Sequence, residues 1–298
     1  MARIRTVQTN FMRGELDPLM AARVDVDSYF NGARTCRNWA LLDQGGLMRR
    51  PGTTYCATLT GTARLMPFVF SQDERYLFAF SNARLDVYDM DGAAVTNITS
   101  CPWTTAMLNE LDFAQFGDTM FVVHQDMPMQ TIVRTAADAF SRSAFTFEAH
   151  SSGYPYYEPY FKFASESVTI TPSATSGSIT LTTSADHWVA GHVGVRVRVA
   201  GKTCTIDSYT SATVVDATVN ETLAGTSAVT DWDEQVFSAV QGYPGCVALH
   251  EQRLWFAGTA NYPSYLAASN TSAFFKFDLG SSGDDESIQV SLGSDGIN

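Results

Sequence analysis

The chain reads as an all-β protein: a partial or complete β-propeller carrying an inserted small β-barrel or sandwich, behind a short N-terminal helix-containing segment. Three observations predict this. A two-strand unit recurs as "RLMPFVFSQDERYLFAFS", "LDFAQFGDTMFVVHQ" and "CVALHEQRLWFAGT". Each copy runs as an apolar strand, turns at a polar pair or triplet, and returns through an aromatic-rich strand. The first two copies lie about 46 residues apart, a propeller-blade period. Composition points the same way: 45% of residues are hydrophobic and only 17% charged. Much of the surface is therefore left to Ser, Thr, Asn and Gln, which suits β structure and broad protein contacts. Finally, residues 165–230 turn Thr/Val-rich, alternating and nearly free of large aromatics, which marks a β unit of a different kind.

Taken in order, residues 1–62 form the N-terminal segment. "RIRTVQTNF" alternates like a strand. "DVDSYFNGARTCRNWALL" has room for one short helix capped by Asp25 or Asp27. "LLDQGGLMRRPG" reads as strand, turn, strand, turning at Gln44-Gly45-Gly46. Residues 63–150 hold the first two blades, whose further strands are "RLDVYDM" and "MQTIVRT". Residues 151–164 ("SSGYPYYEPY…") are a linker, and 165–230 the inserted domain. Residues 231–298 return to the third copy and "SYLAAS", then to "ESIQVSLGSDGIN", which resembles a strand cut short. Three blades do not close a ring, since propellers have four to eight. The sequence is thus expected to be a fragment, or a ring completed by other material.

Composition also excludes function classes. The formal net charge is −12, so there is no overall basic footprint for nucleic acid. An acidic protein can still enclose DNA, because like charge keeps the polymer off the wall. Cys36, Cys56, Cys101, Cys204 and Cys246 are widely spaced and odd in number. They read as small buried hydrophobes rather than as a disulfide framework or a metal site. The start of the chain lacks the apolar stretch of a signal peptide, and no apolar run is long enough to span a membrane. A soluble protein without a membrane anchor is expected.

"FMRGELDPLMAARVDVDSYFNGARTCRNWALLDQGGLMRRPGT" carries a resemblance, through Gly14–Pro18, Tyr29–Gly32, Asn38 and Gly46–Gly52. So does "GYPGCVALHEQRLWFAGTANYPSYLAASNTSAFFKF", with its Gly-Tyr-Pro, Arg-Leu-x-Phe strand and closing Phe-x-Phe. Together they resemble the tail tubular protein B, or tail nozzle, family of short-tailed bacteriophages. The match covers roughly 1–60 and 240–298 and is looser between. Family members are commonly far longer. The resemblance implies a propeller with inserted domains, assembled as a homo-oligomeric ring, a hexamer, below the tail adaptor (tubular protein A) and near tail fibres or spikes. Genomic DNA would pass through the lumen without specific binding. The location implied is the virion tail, after assembly in the host cytoplasm. No enzyme chemistry, cofactor or metal is implied.

Candidate sites were weighed on their residues. "GGLMRRPGT" lacks the Lys of a phosphate loop and has a Pro that removes an N–H. Arg49 and Arg50, on opposite faces of a strand, are candidate subunit or domain contacts. Arg196 and Arg198 are candidates for the same subunit or domain contacts; two apart and so on one strand face, they are expected to form a small positive stripe that meets an acidic neighbour in the tail. "DMDGAAVTN" mimics the start of a calcium loop, but Gly92 stands at the wrong position, so a hairpin turn is expected. "GSSGDDES" reads as a flexible acidic loop. His187 and His192 lack a third ligand nearby in sequence and read as domain-surface residues. Carboxylate pairs for glycoside cleavage are a spatial matter; Asp25/Asp27 and Asp231/Asp233/Glu234 are the linear candidates. The tyrosines of "YPYYEP" suit either a rigid linker or sugar stacking. A sugar-binding or depolymerising tail protein is therefore the rival to a structural conduit.

Overall fold

The computed structural model describes residues 7–280 and 283–293. Two compact units emerge, Met1–Cys56 and Ala57–Asn298. The first has little regular structure. The expected short helix is present as a five-residue 3-10 helix, Asp27–Asn31, and another, Pro18–Met20, precedes it. The capping reading is corrected. Asp17 caps Pro18–Met20 through a hydrogen bond from the Leu19 amide, whereas Asp27–Asn31 has Val26 at its N-cap and no side-chain cap. The longer helix ends at Gly32, which is extended and pressed against Leu16: a Cβ there would lie 2.3 Å from the Leu16 side chain. The Ala33 and Leu16 amides instead close a parallel bridge between Glu15 and Ala33. Strands β1 (Trp39–Leu41) and β2 (Leu47–Arg49) form the expected hairpin. Gly45 sits in its turn at φ +87°, where an L side chain is strained. The alternating start of the chain falls partly in residues 1–6, outside the described residues; the rest of it, 7–11, is not strand.

The second unit is built from sheets. β3 (Arg64–Val69), β4 (Arg75–Ser81), β5 (Arg84–Tyr88) and β6 (Ala94–Thr99) form one antiparallel four-stranded sheet in sequential order. A second sheet of the same order is β7 (Asp112–Phe116), β8 (Thr119–His124), β9 (Met127–Ala136) and β10 (Ala139–Ala144). Next come β11 (Tyr160–Phe161), β12 (Ile170–Pro172), β13 (Gly177–Thr183), β14 (Arg196–Val199), β15 (Lys202–Ser211), β16 (Val214–Val219) and β17 (Trp232–Gln235). They make a seven-stranded sheet ordered β11-β17-β14-β15-β16-β13-β12. A third four-stranded sheet follows: β18 (Cys246–His250), β19 (Arg253–Ala257), β20 (Tyr265–Ala268) and β21 (Ile288–Ser291).

The repeated unit is therefore real as structure. β3–β4, β7–β8 and β18–β19 are each the opening hairpin of a four-stranded sheet. In the third, both turn residues, Glu251 and Gln252, have positive φ, matching the right-handed twist of the strands they join. The three sheets pack face to face in chain order. Phe78, Phe80, Leu85 and Trp103 of the first sheet and its exit loop meet Met120, Val122 and Ile132 of the second. The opposite side of the second sheet, through Phe121, Val123 and Met129, meets Leu254, Phe256 and Phe277. β8 is thus buried on both faces, which is why "MFVV" is a continuous apolar run rather than an alternating one. None of the sheets closes on itself among the described residues.

Two expectations about residues 151–235 change. The insertion is one open seven-stranded sheet, not a closed barrel, with bulges in β15 that bend it over its own core. One edge also reaches into the segment read as a linker, since Tyr160 and Phe161 pair with Gln235 and Glu234. The "strand cut short" is β21, paired with β20; residues 294–298 lie outside the described residues.

Candidate functional site

The polar chemistry of the second unit concentrates on β14, β17 and the segment before β11. β14 alternates strictly: Val197 and Val199 are buried in the core of the seven-stranded sheet, and Arg196 and Arg198 share the other face. The expected shared face is there, but the free stripe is not. Arg196 makes a two-pronged pair with Glu158, whose side chain is fully buried, and stacks over the Tyr156 ring at 4.5 Å. Arg198 makes a second forked pair with Asp233, its cross-strand neighbour, with Nε–Oδ1 at 2.9 Å, and lies 4.1 Å over the Tyr160 ring. Tyr160 closes the group by donating its hydroxyl to Glu158 Oε1 at 2.7 Å.

Two planar guanidiniums, two carboxylates and two tyrosine faces thus saturate one another. Burial pulls the Arg196 pKa down, but the bonds and charge of Glu158 more than reverse this and hold it above the ordinary value. Burial and the nearby Glu158 charge push the Tyr160 hydroxyl well up. Both arginines are spent inside the chain, so an acidic neighbour in the tail is not what completes them. Beside Arg196 a cavity of about 360 Å³ opens among Tyr156, Phe147, Phe237 and Tyr243.

A second cluster lies on the other face of β17. Because β17 alternates, Glu234 is buried on the same side as Trp232. His187 Nε2 lies 3.0 Å from Glu234 Oε1, and His192 Nε2 lies 3.0 Å from Oε2. The Gln241 amide donates to Oε1 at 3.2 Å. Glu234 and His192 are buried and His187 nearly so, which corrects their reading as surface residues. Trp188 and Trp232 pack edge-on against the His187 ring, at centroid distances of 4.8 and 5.1 Å. Burial pushes the Glu234 carboxyl up, yet hydrogen bonds and charge from the two histidines bring it below its ordinary value. His187, His192 and Glu234 present donor atoms within 4.8 Å of one another, the grouping that could hold a metal ion. The third ligand missing from the linear reading comes from a strand more than forty residues on. Only the alternation of "WDEQ" signals which way it faces.

The remaining candidates are placed as follows. Arg49 and Arg50 are exposed, with Arg49 across the hairpin from Trp39. Asp25 pairs with Arg23, and Asp233 and Glu234 are engaged as above, so none of the linear carboxylate candidates stands as a free acid–base pair. Asp89 Oδ1 accepts from the Asp91 and Ala93 amides, which makes "DMDGA" the expected turn. The acidic loop is partly outside the described residues. Its end is tied down, because Arg253 donates to the carbonyls of Asp284 and Glu286. "YPYYEP" packs on its own unit: Tyr157 accepts from Phe277 and donates to Glu148 through the backbone. Glu158, at its end, is the site residue the sequence reading missed.

Among the described residues no helix is long and apolar enough to cross a membrane. No curated protein matches the chain. A family model described as bacteriophage nozzle protein matches residues 30–245.

Proposed function

The chain belongs to the bacteriophage nozzle protein family, and is thus a structural component of the phage tail; on that premise we propose that its copies close into a ring that conducts DNA out of the particle. The observation that carries this reading is the arrangement of the three four-stranded sheets. They follow one another face to face, and their first strands are tied together. Gln115 of β7 bonds both backbone groups of Val69 on β3, at 3.2 and 2.8 Å, and Asp112 of β7 accepts from the Val247 amide of β18 at 2.9 Å. Radial sheets whose first strands adjoin around an axis are the plan of a β-propeller. In this reading the sheets are blades, the seven-stranded sheet is an insertion between the second and third, and a hexamer is the ring.

Charge supports the conduit. Each phosphate that a wall neutralises adds affinity and salt dependence, and a chain of net charge −12 lets DNA slide. The exposed Arg49 and Arg50 would then serve contacts between subunits or with the tail adaptor, while fibres or spikes dock outside. Negative-stain microscopy of the purified protein tests the reading: rings are expected, and a protein that stays monomeric at high concentration would overturn it. A polysaccharide assay separates the rival class, since a conduit releases no reducing ends.

A further inference from the structure

We propose that His187, His192 and Glu234 form a binding site for a divalent transition-metal ion, with zinc the ion best suited to the donor set. Two imidazoles and one carboxylate, with no thiolate among the three, are a familiar zinc combination; the fourth position is left to water or a further ligand. Zinc ligands stand ~2.0–2.2 Å from the ion, and so about 3.3 Å from one another in a tetrahedron. Both imidazole nitrogens already lie 3.0 Å from the carboxylate. All three donors fall within 4.8 Å, so binding requires the two rings to close toward each other.

The surroundings fit an ion as well. A cation held between the two rings would lie directly against the buried Glu234 carboxylate and offset the cost of burying its charge. Gln241, 3.2 Å from Oε1, orients the carboxylate. The two tryptophans keep the site dry.

His192 is placed for both states. Its Nδ1 lies 3.0 Å from the Val189 amide nitrogen and 3.2 Å from the Val189 carbonyl oxygen. Without an ion, Nδ1 accepts from the amide and Nε2–H donates to Glu234. With an ion on Nε2, the ring proton belongs on Nδ1 and is donated to the carbonyl, the usual support for a ligating histidine. The ion would then fasten the 187–192 loop to β17.

The test uses the full chain, stripped with a chelator and titrated with zinc and with cobalt(II). One equivalent of zinc is expected, with a Tm rise of about 4 °C at zinc 100-fold above its Kd. The cobalt form should lack a thiolate charge-transfer band, which separates this site from the five free cysteines. His187→Gln, at the least buried ligand, should lose the binding. Nitrogen NMR of the wild-type histidines gives a readout independent of any variant: His192 should change from the Nε2–H to the Nδ1–H tautomer on zinc addition. The proposal is overturned by any of four results: no stoichiometric uptake, a thiolate band, undiminished binding in the variant, or an unchanged His192 tautomer at saturating zinc.

Discussion

Arg196 and Glu158 show what a single side chain can decide. Replacing the arginine leaves a carboxylate sealed from water without its cation, a change that costs about 3–5 kcal/mol in buried pairs. Arg196→Met should therefore lower the urea midpoint sharply. Arg198→Met should cost less, because Asp233 keeps a quarter of its side chain in solvent. Equal losses would contradict the assignment. Glu221 gives a pH signature. Burial pushes its carboxyl up, but the Thr203 hydroxyl and amide and the Lys202 ammonium outweigh this and hold it below its ordinary value of 4.5. The folded state thus favours the ionised form: its contribution is present above pH 4.5 and lost as pH falls through the lowered folded value. Glu221→Gln should flatten the acid limb of stability against pH, read by thermal melts. Cysteine labelling gives a third check. Burial, reinforced by the charge of Glu221, pushes the Cys204 thiol up to about 12, and burial raises Cys101. A maleimide should label exposed Cys56 and Cys246 in the native protein and spare those two. The arginine alternation was legible because strand spacing fixes a face. Their partners were not, because Glu158 and Asp233 lie in segments whose pairing is set by the sheet and not by neighbours in sequence.

At the scale of the element, the repeated hairpins were readable from the chain because each is local, a polar turn between two apolar strands. Phe256 in β19 is buried between the sheet and Phe145, Phe237 and Phe277. Phe256→Ala should cost about 3–5 kcal/mol, measured by chemical unfolding, and a loss below 1 kcal/mol would show that the packed face is misassigned. The short strand β11 was not readable, since two residues carry no periodicity and the partner Gln235 lies far along the chain. The N-terminal helix stays at five residues because the chain turns extended at Gly32 and is drawn into the Glu15–Ala33 bridge, a pairing set by residues far apart in sequence.

For the whole molecule, the insertion should be separable at other bounds than composition suggested. The Val236 amide donates to the Pro159 carbonyl at 3.0 Å, so the chain leaves and re-enters at one place. Replacing 160–235 by a short Gly/Ser turn, with Glu158→Gln to remove the carboxylate Arg196 would abandon, should preserve cooperative unfolding of the remaining sheets. Broad, non-cooperative melting would show that the sheets depend on the insertion. The same crossing point has a consequence for how the protein is made. The first two four-stranded sheets pair only neighbours in sequence, so each is completed as soon as its own segment leaves the ribosome. The seven-stranded sheet waits. Between synthesis of β14 and of β17, one edge of β14 has no strand to pair with, and the closure is slow because the loop it must bring together is long. That interval exposes an unpaired β edge flanked by buried-type valines, the kind of edge that joins other nascent chains.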